Sequence, residues 1–157
     1  MRKFFVFLMV ALLLTLSFAM EKRGNVIILK AADDHQKGYS TVEGLYLMSK
    51  LVEIWTNGRI KIEVYPGAVL GSEKETIEQT QMGIIDINRT SIAPLTAVYP
   101  KLSVFALPYI FKSREHMWKV LESEIGQKML EELKAVGLVG LAYMDAGARS
   151  FYTVKKP

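Results

Sequence analysis

The chain has no cysteine among its 157 residues, only two histidines, and one long apolar run. The missing cysteine excludes a disulfide framework and a thiolate metal site, so stability must come from packing. With only His35 and His116 available, imidazole-rich metal sites are excluded as well. No basic stretch is interleaved with aromatics, so the formal charge of +4 carries no nucleic-acid reading. There is no G-x-S-x-G, no P-loop and no G-x-G-x-x-G, which removes the common hydrolase, nucleotide and dinucleotide signatures.

The apolar run is at the start. "MRKFFVFLMVALLLTLSFAM" has a basic opening at Arg2 and Lys3, an apolar stretch from Phe4 to Leu14, and small residues at Ser17 and Ala19. That is the anatomy of a secretory signal peptide, residues 1–19, with cleavage expected after Ala19. The stretch is shorter than the roughly 18 to 20 apolar residues of a spanning helix. Removing Arg2 and Lys3 lowers the formal charge to +2 and leaves residues 20–157, 138 residues in all. This suits one domain with its own core and is too short for two.

Periodicity then predicts alternating strands and helices. "NVIILKAADD" contains a continuous apolar run, Val26 to Leu29, as in a strand covered on both faces. A helix is predicted over Thr41 to Asn57, opened by a capping box at Ser40 and Glu43 and closed at Gly58. "RIKIEVYP" alternates and reads as a half-covered strand. Ser72 and Glu75 make a second capping box for a helix over Glu73 to Met82, and "GIIDIN" is a third strand. Pro94, Pro100 and Pro108 break the chain after that strand into loops and short pieces. Two helices capped by Ser113 and Ser123 come next, the second ending at Gly137, and "LVGLAYM" is expected as a fourth, buried strand. Trp55, Trp118, Met48, Met129 and Met144 read as packing residues. Strand–helix alternation predicts an α/β fold with a mostly parallel sheet flanked by helices.

In such sheets ligands bind outside the carboxyl ends of the strands. That rule selects Asp33, Asp34 and His35 after the first strand, Asn88 to Ser91 after the third, and Asp145 to Arg149 after the fourth. Arg149 presents a planar fork of donors that matches a carboxylate, and Gly147 and Ala148 leave room for one. A solvated or acid-paired surface arginine is the alternative reading. Asp33, Asp34 and His35 are a possible metal set, but neighbours on an extended chain point to opposite faces, so the three are not expected to converge. Glu73 and Glu75 at a helix start complement its dipole.

Three stretches, "GRIKIEVYPGAVLGSEKETIEQTQMGIIDI", "YPKLSVFALPYIF" and "GLAYMDAGARSFYTVKKP", resemble the substrate-binding proteins of TRAP transporters, the tripartite ATP-independent periplasmic family, dicarboxylate-binding type. The resemblance covers essentially the whole mature chain. It implies a periplasmic-binding-protein-like lobe of type II, with residues 20–157 as the N-terminal lobe and the second lobe missing. It implies a periplasmic binder of a small organic acid that hands its ligand to the membrane subunits of a sodium-coupled TRAP transporter, with no catalytic residues and no cofactor. The family's main carboxylate-binding Arg lies in a later motif that nothing in residues 1–157 matches. Arg149 matches the position of an assisting Arg, Asp34 that of a polar contact after the first strand, and Ser91 that of a contact after the third. Asp34 departs from the neutral group often found there. Two other classes stand beside this one: an exported metal-dependent enzyme built on Asp33, Asp34 and His35, and a cell-surface interaction module with an exposed apolar face.

Overall fold

The computed structural model describes residues 25–147 and residue 154. Strand β1 (Ile27–Ala32) leads to helix α1 (Ser40–Trp55), strand β2 (Ile60–Tyr65), helix α2 (Glu73–Gln81) and the short strand β3 (Ile87–Asn88). Helix α3 (Ile92–Leu95), a 3-10 segment (Pro100–Ala106), helices α4 (Arg114–Leu121) and α5 (Glu124–Glu132) and a final 3-10 turn (Leu133–Val136) follow. The sheet has the order β2-β1-β3, and both pairings are parallel. Two strand–helix–strand units thus run parallel, as the alternation predicts, with β1 at the centre.

The register decides where a site can form. Ala32 lies opposite Tyr65 on one side and Asn88 on the other, so the three strands end level. The Asp33 amide donates to the Tyr65 carbonyl at 3.2 Å, and the Arg89 amide to the Ala32 carbonyl at 2.9 Å. Asp33 and Arg89 therefore leave the sheet side by side. Helix α1 packs on β2, and the Ser49 hydroxyl donates to the Ile62 carbonyl at 2.7 Å. Val42, Leu45, Ala31 and Ile62 are buried in this layer. A second apolar cluster joins Ile77, Leu95, Tyr99, Leu102 and Leu133, with Met129 packed against it.

The local signals of α2 hold. Ser72 and Glu75 form the reciprocal capping box, with the Ser72 amide donating to Glu75 at 2.8 Å and its hydroxyl at 2.7 Å. These donors hold the Glu75 carboxyl below its ordinary range, the backbone contribution being the larger. A lowered folded value means stability that is present above the unfolded value and lost as pH falls through the folded one. Ser72→Ala is expected to cost about 1 kcal/mol in urea unfolding at pH 7. The loss should shrink at acid pH, where Glu75 is protonated. Ser113 and Ser123 cap α4 and α5, and Gly137 ends the last turn at φ +78°.

Several expectations are corrected. Ser40 is the first residue of α1 rather than its cap: Tyr39 is the cap position, and Glu43 accepts from the Gly38 amide instead. The third strand shrinks to two residues because the Ile84 and Ile85 amides turn back to the Gln79 carbonyl, and the Asp86 carboxylate takes the Lys30 amide. The run Val26 to Leu29 is not covered on both faces: Val26, Ile27 and Ile28 are about half exposed. "LVGLAYM" forms no strand; it pairs with no strand among the described residues, and Val139 and Leu141 are exposed. Trp55 is not core. It ends α1 on the outer side, 74% exposed.

Candidate functional site

The level strand ends bring four elements together around one arginine. Asp33, directly after β1, has a side chain with 0% exposure. It accepts from the Thr41 hydroxyl at 2.7 Å, from the His35 amide at 2.9 Å, and lies 2.9 Å from His35 Nδ1. Thr41 is delivered by the first turn of α1, which explains why a β-branched hydroxyl residue is buried there. Arg89, directly after β3, has only 8% of its side chain exposed. One of its terminal nitrogens donates to Asp34 Oδ1 at 2.8 Å and lies 2.9 Å from His35 Nδ1. It is also 3.6 Å from both Asp33 Oδ1 and Glu73 Oε1. Glu73, at the first position of α2, accepts from the Ser91 amide at 2.5 Å.

A buried guanidinium is tolerable only with acids around it, because leaving water without a counter-charge is prohibitive. Here three carboxylates surround one arginine, so with His35 neutral the cluster carries a formal charge of −2. The charges are layered. Asp33 and Arg89 form the buried base, while Asp34 and Glu73 keep 33% and 18% of their side chains exposed. Beside them on β3, the Asn88 side-chain oxygen is shielded from solvent with no donor among the described residues.

A second set of contacts ties this cluster to residues 145–147. His35 stacks on Tyr39, ring centres 4.1 Å apart, and the Tyr39 hydroxyl donates to the Ala146 carbonyl. Asp145 accepts from Arg114 at 2.7 Å and from the Gly147 amide at 2.8 Å, and Gly147 adopts φ +89°. Ser40, Phe111, Arg114, Asp145 and Gly147 line an open cleft of about 670 Å³, within the usual range for small-molecule sites.

Of the residues singled out in the sequence, Asp34 and Ser91 reach the same neighbourhood: Asp34 pairs with Arg89, and Ser91 caps α3 without using its hydroxyl for the cap. Arg149 lies outside the described residues, as does the signal segment 1–19. Asp33, Asp34 and His35 do converge, with potential ligand atoms within 4.8 Å, against the expectation from an extended chain. The loop bends after Ala32, and the His35 amide folds back onto Asp33. As a metal set the three are a poor fit, because the Arg89 guanidinium occupies the cation position between them and would repel a second one. Sequence reasoning misses Thr41, Glu73 and the central part of Arg89. The strand-end rule points at Arg89, but its burial depends on acids 55 and 16 residues away in the chain.

A parallel α/β lobe with a polar cluster at the carboxyl ends of its strands is the build of a solute-binding protein half. Residues 31–157 match the model of DctP, the bacterial extracellular solute-binding protein, family 7, and the chain belongs to that family. Its fold matches a TRAP periplasmic solute-binding protein of Xanthobacter autotrophicus Py2 with bound β-D-galacturonate, at 42% identity and a TM-score of 0.78, over 81% of this chain and 43% of that one. A TRAP protein of Citrobacter koseri with bound D-glucuronate is 41% identical with a TM-score of 0.72, over 75% of this chain and 40% of that one. The C4-dicarboxylate-binding periplasmic protein DctP of Rhodobacter capsulatus is 34% identical over 85% of this chain and 40% of its own length. The chain thus spans less than half the length of these relatives. They are binding proteins, and they lend no support to the metal-enzyme alternative.

Proposed function

We propose that this chain supplies one wall of an extracytoplasmic binding site that captures a small organic acid for uptake through the membrane subunits of a TRAP transporter. The observation that carries the reading is the level ending of three parallel strands in a polar cluster, in a chain of this family. Arg149 is assigned the ligand carboxylate, and Asp34 and Ser91 the remaining polar groups. Residues 1–19 act as the export signal, residues 20–157 as the lobe. Relatives whose solved structures hold galacturonate and glucuronate support an acid with hydroxyl groups as ligand.

A buried ligand of this kind is enclosed over about 70–90% of its surface, and this chain spans about two fifths of its solved relatives. Binding by residues 20–157 is therefore expected in the millimolar range, corresponding to about 4 kcal/mol. A nitrogen–proton NMR titration with galacturonate, glucuronate, erythronate and succinate reads affinities of that order. Saturable shifts with at least one acid, lost in Arg149→Ala, are the expected result. No shift with any acid, or sub-micromolar binding by this chain alone, would overturn the one-wall reading.

A further inference from the structure

We infer that Arg89 is a positioning residue of this site: it holds Asp34 and Glu73 as fixed acceptors, so the wall takes the hydroxyl groups of a polyhydroxylated acid and rejects a second carboxylate. This deepens the proposed function and rests on it.

Arg89 itself is an unsuitable receptor for a ligand carboxylate. Its side chain is almost wholly buried, and one of its terminal nitrogens is already engaged by Asp34 at 2.8 Å and His35 at 2.9 Å. The groups of the cluster that stay partly accessible are Asp34, His35 and Glu73. Asp34 and Glu73 come from different elements, the loop after β1 and the start of α2, and Arg89 from β3 lies between them. Two like charges brought together in this way would repel each other without a cation between them. With Arg89 in place both carboxylates are held where they accept hydrogen bonds.

That chemistry separates two classes of acid. A sugar acid offers hydroxyl donors to Asp34 and Glu73 while its single carboxylate is directed elsewhere. A C4-dicarboxylate directs a second negative charge toward a cluster whose formal charge is already −2 with His35 neutral. Like-charge juxtaposition is an effective way to exclude a wrong partner.

The test uses the mature chain and two probes, D-galacturonate and succinate, titrated by NMR at pH 7.5. In the wild-type protein galacturonate should bind at least about tenfold more tightly than succinate, the size of one hydrogen bond to a charged group. Asp34→Asn should weaken galacturonate by about tenfold and strengthen succinate, narrowing or inverting the preference. Arg89→Gln should weaken galacturonate by a similar factor, and Arg89→Lys should restore part of the loss, since charge without the fork still separates the acids. A merely structural role for these residues would lower both affinities together. If Arg89→Gln does not fold, Asp34→Asn and Arg89→Lys carry the comparison. An unchanged galacturonate-to-succinate ratio in Asp34→Asn overturns the inference while leaving acid binding intact. Absence of binding by any acid overturns the proposed function and this inference with it.

Discussion

Replacing Asp33 with alanine is expected to destabilise the protein by about 3–5 kcal/mol, the cost of leaving the Thr41 hydroxyl and the His35 amide without their acceptor. Asp33 is fully buried and serves three donors: the Thr41 hydroxyl, the His35 amide and His35 Nδ1. It also lies 3.6 Å from the buried nitrogen of Arg89. Alanine would strand Thr41 and tilt the balance around Arg89 at once. Urea unfolding followed by circular dichroism should show the midpoint falling by about 2 M. In Asp33→Asn the side-chain oxygen still accepts from the His35 amide while its NH2 donates to the Thr41 hydroxyl oxygen, so it should lose markedly less. Equal losses in the two variants would show that the hydrogen bonds to Asp33 are not what stabilises the fold there.

Gly126→Ala should be the most damaging single methyl in the described part of the molecule. An added Cβ would lie 2.0 Å from the Leu121 carbonyl oxygen and 2.5 Å from its carbon, where the end of α4 meets the start of α5. Backbone cannot swing aside as a side-chain tip can, and the Gly126 carbonyl is also bonded by the Tyr143 hydroxyl at 2.8 Å. The burial that accompanies this contact pushes the Tyr143 hydroxyl up to about 12. Overpacking of this kind costs about 1–3 kcal/mol and occasionally more. Gly44→Ala is the matched comparison. There the new Cβ would meet only the Met144 terminal methyl at 2.7 Å, which can rotate away. Alanine in the middle of α1 then gains helix propensity of up to about 1 kcal/mol. Thermal unfolding of the two variants should move in opposite directions, or nearly so. A Gly126→Ala protein as stable as the parent would show that α4 and α5 do not meet as described.

The features legible in the sequence are local. Ser72 with Glu75, Ser113, Ser123 and Gly137 each act within a few residues, and each lies where its chemistry requires it. The parallel order is legible too, since a helix between consecutive strands leaves little other choice. The failures concern contacts between distant segments. "GIIDIN" has strand composition, yet Asp86 satisfies the Lys30 amide with its side chain and shortens the ladder. "LVGLAYM" is apolar enough for a strand, but composition does not supply a neighbouring backbone. Trp55 lies on an apolar spacing that happens to face outward at the end of α1.

The site divides in the same way. The strand-end rule places Asp34 and Ser91 in the right neighbourhood, and the level register of Ala32 and Asn88 is the physical reason. The same rule gives no ranking among them. That Arg89 lies at the centre depends on Asp34 and Glu73 arriving from elsewhere in the chain, and no spacing encodes it. An extended chain keeps Asp33, Asp34 and His35 apart, whereas this chain turns as soon as the sheet ends and brings them together.

The central claim is that acid ligands bind at the shared carboxyl end of the three strands. Residue-resolved NMR mapping of galacturonate on the mature chain tests it most directly. Saturable shifts should concentrate at residues 33–35, 73 and 89–91 and extend through 145–149, with those of β1's exposed first half unmoved. Shifts confined to the opposite end of the sheet would contradict it.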